Sequence, residues 1–170
     1  MKEAISQKDL WDAQHKRRRA EHKDIANTPN EFAKECLGYI PEGAKVLDLG
    51  AASGRDSRFF VKEKNCEIYA LDFSFTALKH LEEDAIADGS IDFIRPINAD
   101  IKHIPLAGAN TLDVIYARSS LHVSDLDLEK LLEQILSMLI ELNLSSGKRV
   151  DNDSRYVNFI AQKQHGTKSN

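Results

Sequence analysis

The sequence predicts an α/β fold: a doubly wound, mostly parallel sheet with helices on both faces. Three observations carry this expectation. Between about residues 46 and 142, short apolar runs alternate with longer amphipathic segments. The runs are apolar throughout rather than at every second position, as strands buried on both faces require. The first three runs also end on or near an acidic residue, Asp48, Asp72 and Asp100. That is the end of an open parallel sheet at which ligands bind.

The elements follow in order. Residues 6–27 are rich in Lys, Arg, Glu and Asp, with Leu10, Trp11 and Ile25 as their few large apolar anchors. A helix with so little to bury belongs on the outside, as a mobile lid. Thr28-Pro29-Asn30-Glu31 combines a capping hydroxyl, a proline for the first helical position and a capping-box glutamate. Phe32, Ala33, Cys36, Leu37 and Ile40 then share one face of a core helix that Pro41 stops.

Val46–Leu49 predicts the first strand, and Gly54 opens a helix carrying Phe59, Phe60 and Val61. Ile68–Leu71 predicts the second strand, and the helix after it presents Leu78, Leu81 and Ala85 before ending at Gly89. Ile91–Ile97 and Leu112–Ala117 predict the third and fourth strands. A long helix follows, with Leu128, Leu131, Leu132, Ile135, Leu139 and Leu142 on one stripe. Right-handed crossovers then put the strands in the order third, second, first, fourth, all parallel. After a polar stretch, Tyr156–Ala161 predicts a last strand. An unpaired fourth strand would be an exposed edge, so this last strand is expected to pair with it directly, in either direction.

Composition narrows the possibilities. The net charge of −4, with both signs mixed along the chain, supplies no basic field for nucleic acid. The run Lys16–Arg19 is flanked by Asp12, Glu21 and Asp24 and reads as a solvated helix face. Cys36 and Cys66 lie outside any metal or redox spacing and read as buried thiols in a reducing compartment. The six histidines show no ligand spacing, so no metal is expected. No signal core or membrane-length apolar stretch is present, and a cytoplasmic location is the expectation.

The chemistry gathers at the strand ends. Asp48-Leu49-Gly50-Ala51-Ala52-Ser53-Gly54-Arg55-Asp56 is a tight small-residue turn entering a helix. Gly50 can adopt backbone angles that other residues avoid, Ala51, Ala52 and Ser53 let a ligand approach the main chain, and the helix start favours an anionic group. A packing turn explains these residues equally well when taken alone. Asp72 lies 24 residues after Asp48, where a carboxylate can accept both hydroxyls of a ribose. Asp100, after the third strand, is placed to meet an exocyclic amine. Three such carboxylates are hard to attribute to packing, because an unpaired carboxylate is costly near a core. The turn does not supply the GxGxxG of nicotinamide dehydrogenases, and no GxxxxGK[ST] follows any strand.

VLDLGAASGRDSRFF resembles the first motif of class I S-adenosylmethionine-dependent methyltransferases. YALDFS, INADIKHIPLA and LDVIYARSSLHV are similar to their second, third and fourth motifs, in the same order, and the likeness runs from about Phe32 to Leu142. The resemblance implies S-adenosyl-L-methionine as cofactor and methyl transfer as activity. Asp48 would organise the loop near the methionine amino group, with Gly50, Ala51, Ala52 and Gly54 lining the cofactor. Asp72 would hold the ribose, with Phe73 against adenine. Asp100 would accept from the adenine amine, with Ile101 beside the ring. Ala117 and Arg118 would border the methionine part, where Arg118 is placed either to pair with the cofactor carboxylate or to form a surface ion pair. His122 is the one candidate base, with a loop-capping histidine as the competing reading.

Ala52 stands where the family usually has a second glycine. Gly147–Val150 resembles only the start of the family's fifth strand, so the region that often completes the substrate wall looks shortened. Neither the Asn-Pro-Pro-aromatic run of many amino-group methylases nor a Pro-Cys nucleophile is present. A small-molecule acceptor is therefore expected; the rival is a weak or inactive methyltransferase-like protein that binds cofactor and acts through a protein partner. The expected organisation is a helical lid over residues 1–27, a methyltransferase-like domain over 28–163 and a polar tail over 164–170.

Overall fold

A computed structural model of the chain describes residues 6–21, 28–105, 112–118, 120, 130, 131, 133 and 158–162. It has helices α1 (Gln7–Ala20), α2 (Glu31–Cys36), α3 (Arg55–Lys64) and α4 (Phe75–Asp88). Its strands are β1 (Lys45–Leu49), β2 (Glu67–Asp72), β3 (Ile94–Asn98), β4 (Val114–Arg118) and β5 (Asn158–Gln162). The sheet order is β3-β2-β1-β4-β5. The first four strands pair in parallel and β5 pairs antiparallel with β4, from Val114↔Gln162 to Arg118↔Asn158. The expected order is thus realised, and the final strand closes the β4 edge directly.

Alternation along β1 splits the core in two. Val46 faces a cluster with Ala33, Cys36, Phe60, Ile68, Leu81 and Tyr116. Leu47 and Leu49 face another, with Leu71, Ile101, Ile104, Ile115 and Leu131. Successive side chains of a strand point to opposite faces, so continuous apolar runs need cover on both. Of the long helix predicted after the fourth strand, only residues 130, 131 and 133 fall within the described residues, and they are helical. Both cysteines are free and buried. Burial, more than any neighbour, pushes the Cys36 thiol up to about 12 and the Cys66 thiol up to about 11. Among the described residues no helix is long and apolar enough to cross a membrane.

Three boundaries differ from expectation. The α2 cap is Asn30, whose side chain accepts from the Ala33 N–H, so Pro29 precedes the helix instead of opening it. The third strand begins at Ile94, because Ile91–Phe93 form a 3-10 turn continuing the α4 cap, with the Phe93 N–H on the Ser90 carbonyl. Pro96 sits in β3, an edge strand, where a missing N–H is tolerated. The fourth strand begins at Val114, because Asp113 is used at the strand mouth, its carboxylate accepting from the Lys45 N–H at 2.9 Å.

Helix α1 packs on α4 through polar contacts. Arg19 donates to both carboxylate oxygens of Asp84 at 2.8 and 3.0 Å, and Asp12 accepts from Ser74 Oγ. His15 is its one buried residue among the described residues, beside Trp11.

Candidate functional site

The site begins where β1 ends. Gly50, Ala52 and Gly54 all take left-handed backbone, with φ of +77°, +50° and +70°. The N–H groups of Gly50 and Ala51 both donate to the Leu71 carbonyl, at 2.8 and 3.0 Å, which folds the loop over the end of β2. A Cβ on Gly54 would lie 2.4 Å from the Leu81 side chain, so this glycine lets α3 enter against α4. A Cβ on Gly50 would lie 2.4 Å from Ser120 Cβ. The left-handed backbone expected at Gly50 is thus present, and the space saved there also admits Ser120, after β4. Ala52 carries a Cβ in left-handed backbone, at a cost that a glycine there would avoid.

Asp48 is buried and accepts from Ser57 Oγ at 2.6 Å. Burial raises its carboxyl to about 7; the Ser57 hydroxyl and the Arg118 charge oppose the rise, and Asp56 and Asp72 add to it. Asp72, also buried, closes β2. Its Oδ2 accepts from the Ala52 N–H at 2.9 Å and its Oδ1 from the Ser74 N–H at 2.8 Å. Burial raises Asp72 too, those two amides lower it, and Asp12 raises it further. Each oxygen keeps a second lone pair for a ligand.

Next to β2, Asn98 donates its side-chain amide to the backbone carbonyls of Asp72 and Phe73, at 3.1 and 3.0 Å. The Ala99 N–H donates to the Asp72 carbonyl at 3.2 Å, bringing Asp100 alongside. Asp100 is exposed and shaped into a turn by the Lys102 N–H. Ile101 and Ala117 are buried in the core, so Ala117 can meet a ligand only through its backbone. Arg118, half-buried, closes β4 and forms no ion pair among the described residues. His122 lies outside the described residues.

The structure therefore brings Asp48, the Gly50–Gly54 loop and Asp72 together, with the Arg118 charge reaching Asp48 and Asp100 at the rim. Sequence reading missed a second polar cluster beneath the loop. Asp56, buried in the first turn of α3, accepts from Tyr116 Oη at 3.0 Å, from the Asn30 N–H at 3.2 Å and from the Asn30 side-chain amide. Tyr116 is otherwise packed between Phe32 and Phe60, and burial, then the Asp56 charge, raises its hydroxyl. The motif reading ended at Asp56 without giving it a role; besides its neighbour Arg55, whose Nε donates at 3.3 Å, its partners come from β4 and from the α2 cap, far away in sequence.

These residues fit the cofactor that the sequence resemblance implies. Asp72 offers two oriented carboxylate oxygens for a diol, and Asp48 offers a buried carboxylate for a cationic group. Ser120 Oγ, beside Gly50, is buried without a hydrogen-bond partner among the described residues.

Comparison with known proteins gives the following. The family described as "Methyltransferase domain" matches residues 46–141. No curated protein matches the sequence. Solved structures match, among them a candidate sarcosine dimethylglycine methyltransferase from Galdieria sulphuraria, at 27% identity and a TM-score of 0.58 over 64% of this chain and 42% of that one. Another is a candidate S-adenosyl-L-methionine-dependent methyltransferase from Methanococcus maripaludis, at 20% identity and a TM-score of 0.64 over 82% of this chain and 63% of that one. A third is the candidate methyltransferase of Haloferax volcanii solved with the Trm112 methyltransferase activator, at 22% identity and a TM-score of 0.57 over 80% of this chain and 57% of that one. The chain thus spans less than two thirds of each of these three.

Proposed function

The chain belongs to the methyltransferase-domain family, that of the class I S-adenosylmethionine-dependent enzymes, and from that premise we propose that it binds S-adenosyl-L-methionine and methylates a small-molecule acceptor. The observation that carries the reading is Asp72. Buried at the end of β2, it holds the loop after β1 with one oxygen and the start of α4 with the other. A diol donating to the remaining lone pairs would offset the cost of keeping this carboxylate charged and buried.

The other roles follow from the family resemblance. Asp48 would attract the cofactor's ammonium group, and the Gly50–Gly54 backbone would line its methionine part. Phe73 would meet the adenine, with Ile101 beside the ring and Asp100 at its amine. The Ala117 backbone and Arg118 would border the methionine end, where Arg118 would pair with the carboxylate.

The cofactor supplies a methyl group already activated on a sulfonium. The protein's task is then to hold an acceptor in line and exclude water. A general base is needed only if the acceptor arrives protonated. The free, buried thiols support a reducing, cytoplasmic setting.

A second reading is favoured by one observation. Strand β5 pairs directly with β4. On that reading the cofactor cleft is complete but the acceptor wall is supplied by a protein partner. The Haloferax methyltransferase, for its part, was solved with an activator. Calorimetry with S-adenosylhomocysteine followed by methyl-release assays over an acceptor panel tests both. Binding without turnover on any small molecule favours the partner reading, and no binding rejects both.

A further inference from the structure

Helix α1 carries a carboxylate that the cofactor roles leave unused. Asp12 Oδ1 accepts from Ser74 Oγ and, at 3.4 Å, from the Thr76 N–H. Ser74 is fully buried. It caps α4, its Oγ accepting from the Ala77 N–H at 3.1 Å, while its own N–H donates to Asp72 Oδ1 at 2.8 Å. One serine thus joins Asp12 to Asp72. With the hydroxyl proton committed to Asp12, the oxygen lone pairs are left for the Ala77 N–H, which fixes the Asp72–Ser74 turn. At the other end of α1, Arg19 grips Asp84 with two hydrogen bonds and holds the helix along α4.

Simple docking of α1 does not account for an acid at this position. Asp12 is near enough to Asp72 for their like charges to oppose one another. An uncharged residue would cap the hydroxyl without that repulsion. The hydrogen bonds from Ser74 and Thr76 nevertheless outweigh burial and hold the Asp12 carboxyl below its ordinary value, so it is present as the anion and a strong acceptor.

We propose that Asp12 is a positioning residue for the ribose: through Ser74 it sets the orientation of the Asp72 carboxylate that receives the two hydroxyls. The proposal rests on the cofactor reading above. The test is calorimetry of the full chain with S-adenosylhomocysteine and with its 2′,3′-dideoxy analogue, comparing the parent with Asp12→Ala and Asp12→Asn. Alanine suits a surface helix, so folding is retained, and asparagine keeps an oxygen for Ser74. Asp12→Ala should weaken the diol ligand by about five- to twentyfold and the dideoxy analogue by less than about twofold. Asp12→Asn, which keeps the oxygen but not the charge, should restore only part of the diol affinity, leaving it between the alanine variant and the parent. Equal losses on both ligands would show that α1 merely packs, and an unchanged diol affinity in Asp12→Ala would show no link to Asp72; either overturns the proposal. A parent that binds neither ligand rejects the cofactor reading itself, and this proposal with it.

Discussion

Asp72 Oδ2 accepts a hydrogen bond from the Ala52 N–H at 2.9 Å, so the carboxylate that ends β2 holds the middle of the loop that follows β1. The two halves of the site are therefore one unit. A ligand that draws on Asp72 also acts on the backbone beside it.

The first prediction follows. Asp72→Ala removes the acceptor for any diol and releases the Ala52 N–H. Affinity for S-adenosylhomocysteine should fall by roughly 10- to 150-fold, or about 1.5–3 kcal/mol. Calorimetry measures it, and an undiminished affinity would exclude the ribose assignment.

A second prediction concerns Ala52, an alanine at φ +50°. Left-handed backbone costs a residue with a Cβ about 1–2 kcal/mol, and glycine returns about 0.5–1 of that through the unfolded chain. Ala52→Gly should therefore stabilise the protein by up to about 1 kcal/mol, seen as a rise of a few degrees in Tm. A lower melting temperature would mean that the loop is not strained there.

The third is a pH dependence set by Asp48. Its carboxyl rises from an ordinary 3.8 to about 7, chiefly through burial. The folded state therefore binds its proton more tightly than the unfolded state does. The stability this confers is complete below about pH 3.8 and is lost as pH climbs through about 7. Asp48→Asn, which can still accept from Ser57, should flatten the stability profile over that interval. Cofactor binding has the opposite sign, because an ammonium group prefers the ionised carboxylate. Affinity should rise with pH toward about 7 and proton release should accompany binding below it. Calorimetry in buffers of different ionisation enthalpy reads the release.

Tyr116 and Asp56 supply a fourth. Tyr116→Phe leaves the packing against Phe32 and Phe60 but removes one donor from a buried carboxylate. Losing a donor to a buried charged group costs about 1–3 kcal/mol. Denaturant unfolding should show that loss, and a neutral result would mean that the Asn30 and Arg55 donors suffice for Asp56.

Much of this was legible in the sequence. Periodicity and crossover handedness specify β1–β4, and edge protection requires the β5–β4 pairing, because these depend on patterns that neighbouring residues display. The places of Asp48 in β1 and of Asp72 at the end of β2 were legible because the apolar runs mark where the strands end. What escaped depends on contacts between distant segments. The left-handed backbone at Gly50 was legible, but not that Ser120 crosses it, nor that Asp56 is held by Tyr116 and Asn30 as well as by Arg55. The helix cap was misplaced for a related reason. Thr28 and Asn30 are both capping residues by type, and the additional bonds from Asn30 to Asp56 and Tyr116 favour the second.

The last prediction concerns the sheet edge. Strand β5 covers β4 along its whole length, from Val114↔Gln162 to Arg118↔Asn158. Without it, a parallel strand buried on both faces would present a row of unpaired N–H and C=O groups, a template for pairing with other chains. Strands β1–β3 and the loop after β1 would keep their mutual pairing, since β5 is hydrogen-bonded to the sheet through β4 at its edge. A chain ending at residue 152 should therefore aggregate while its cofactor cleft remains formed. Light scattering and sedimentation should detect the aggregates, and adding S-adenosylhomocysteine should not dissolve them, because the ligand binds away from the exposed edge. A soluble, monomeric truncation that still binds the ligand would show that β5 is dispensable and that something else protects β4.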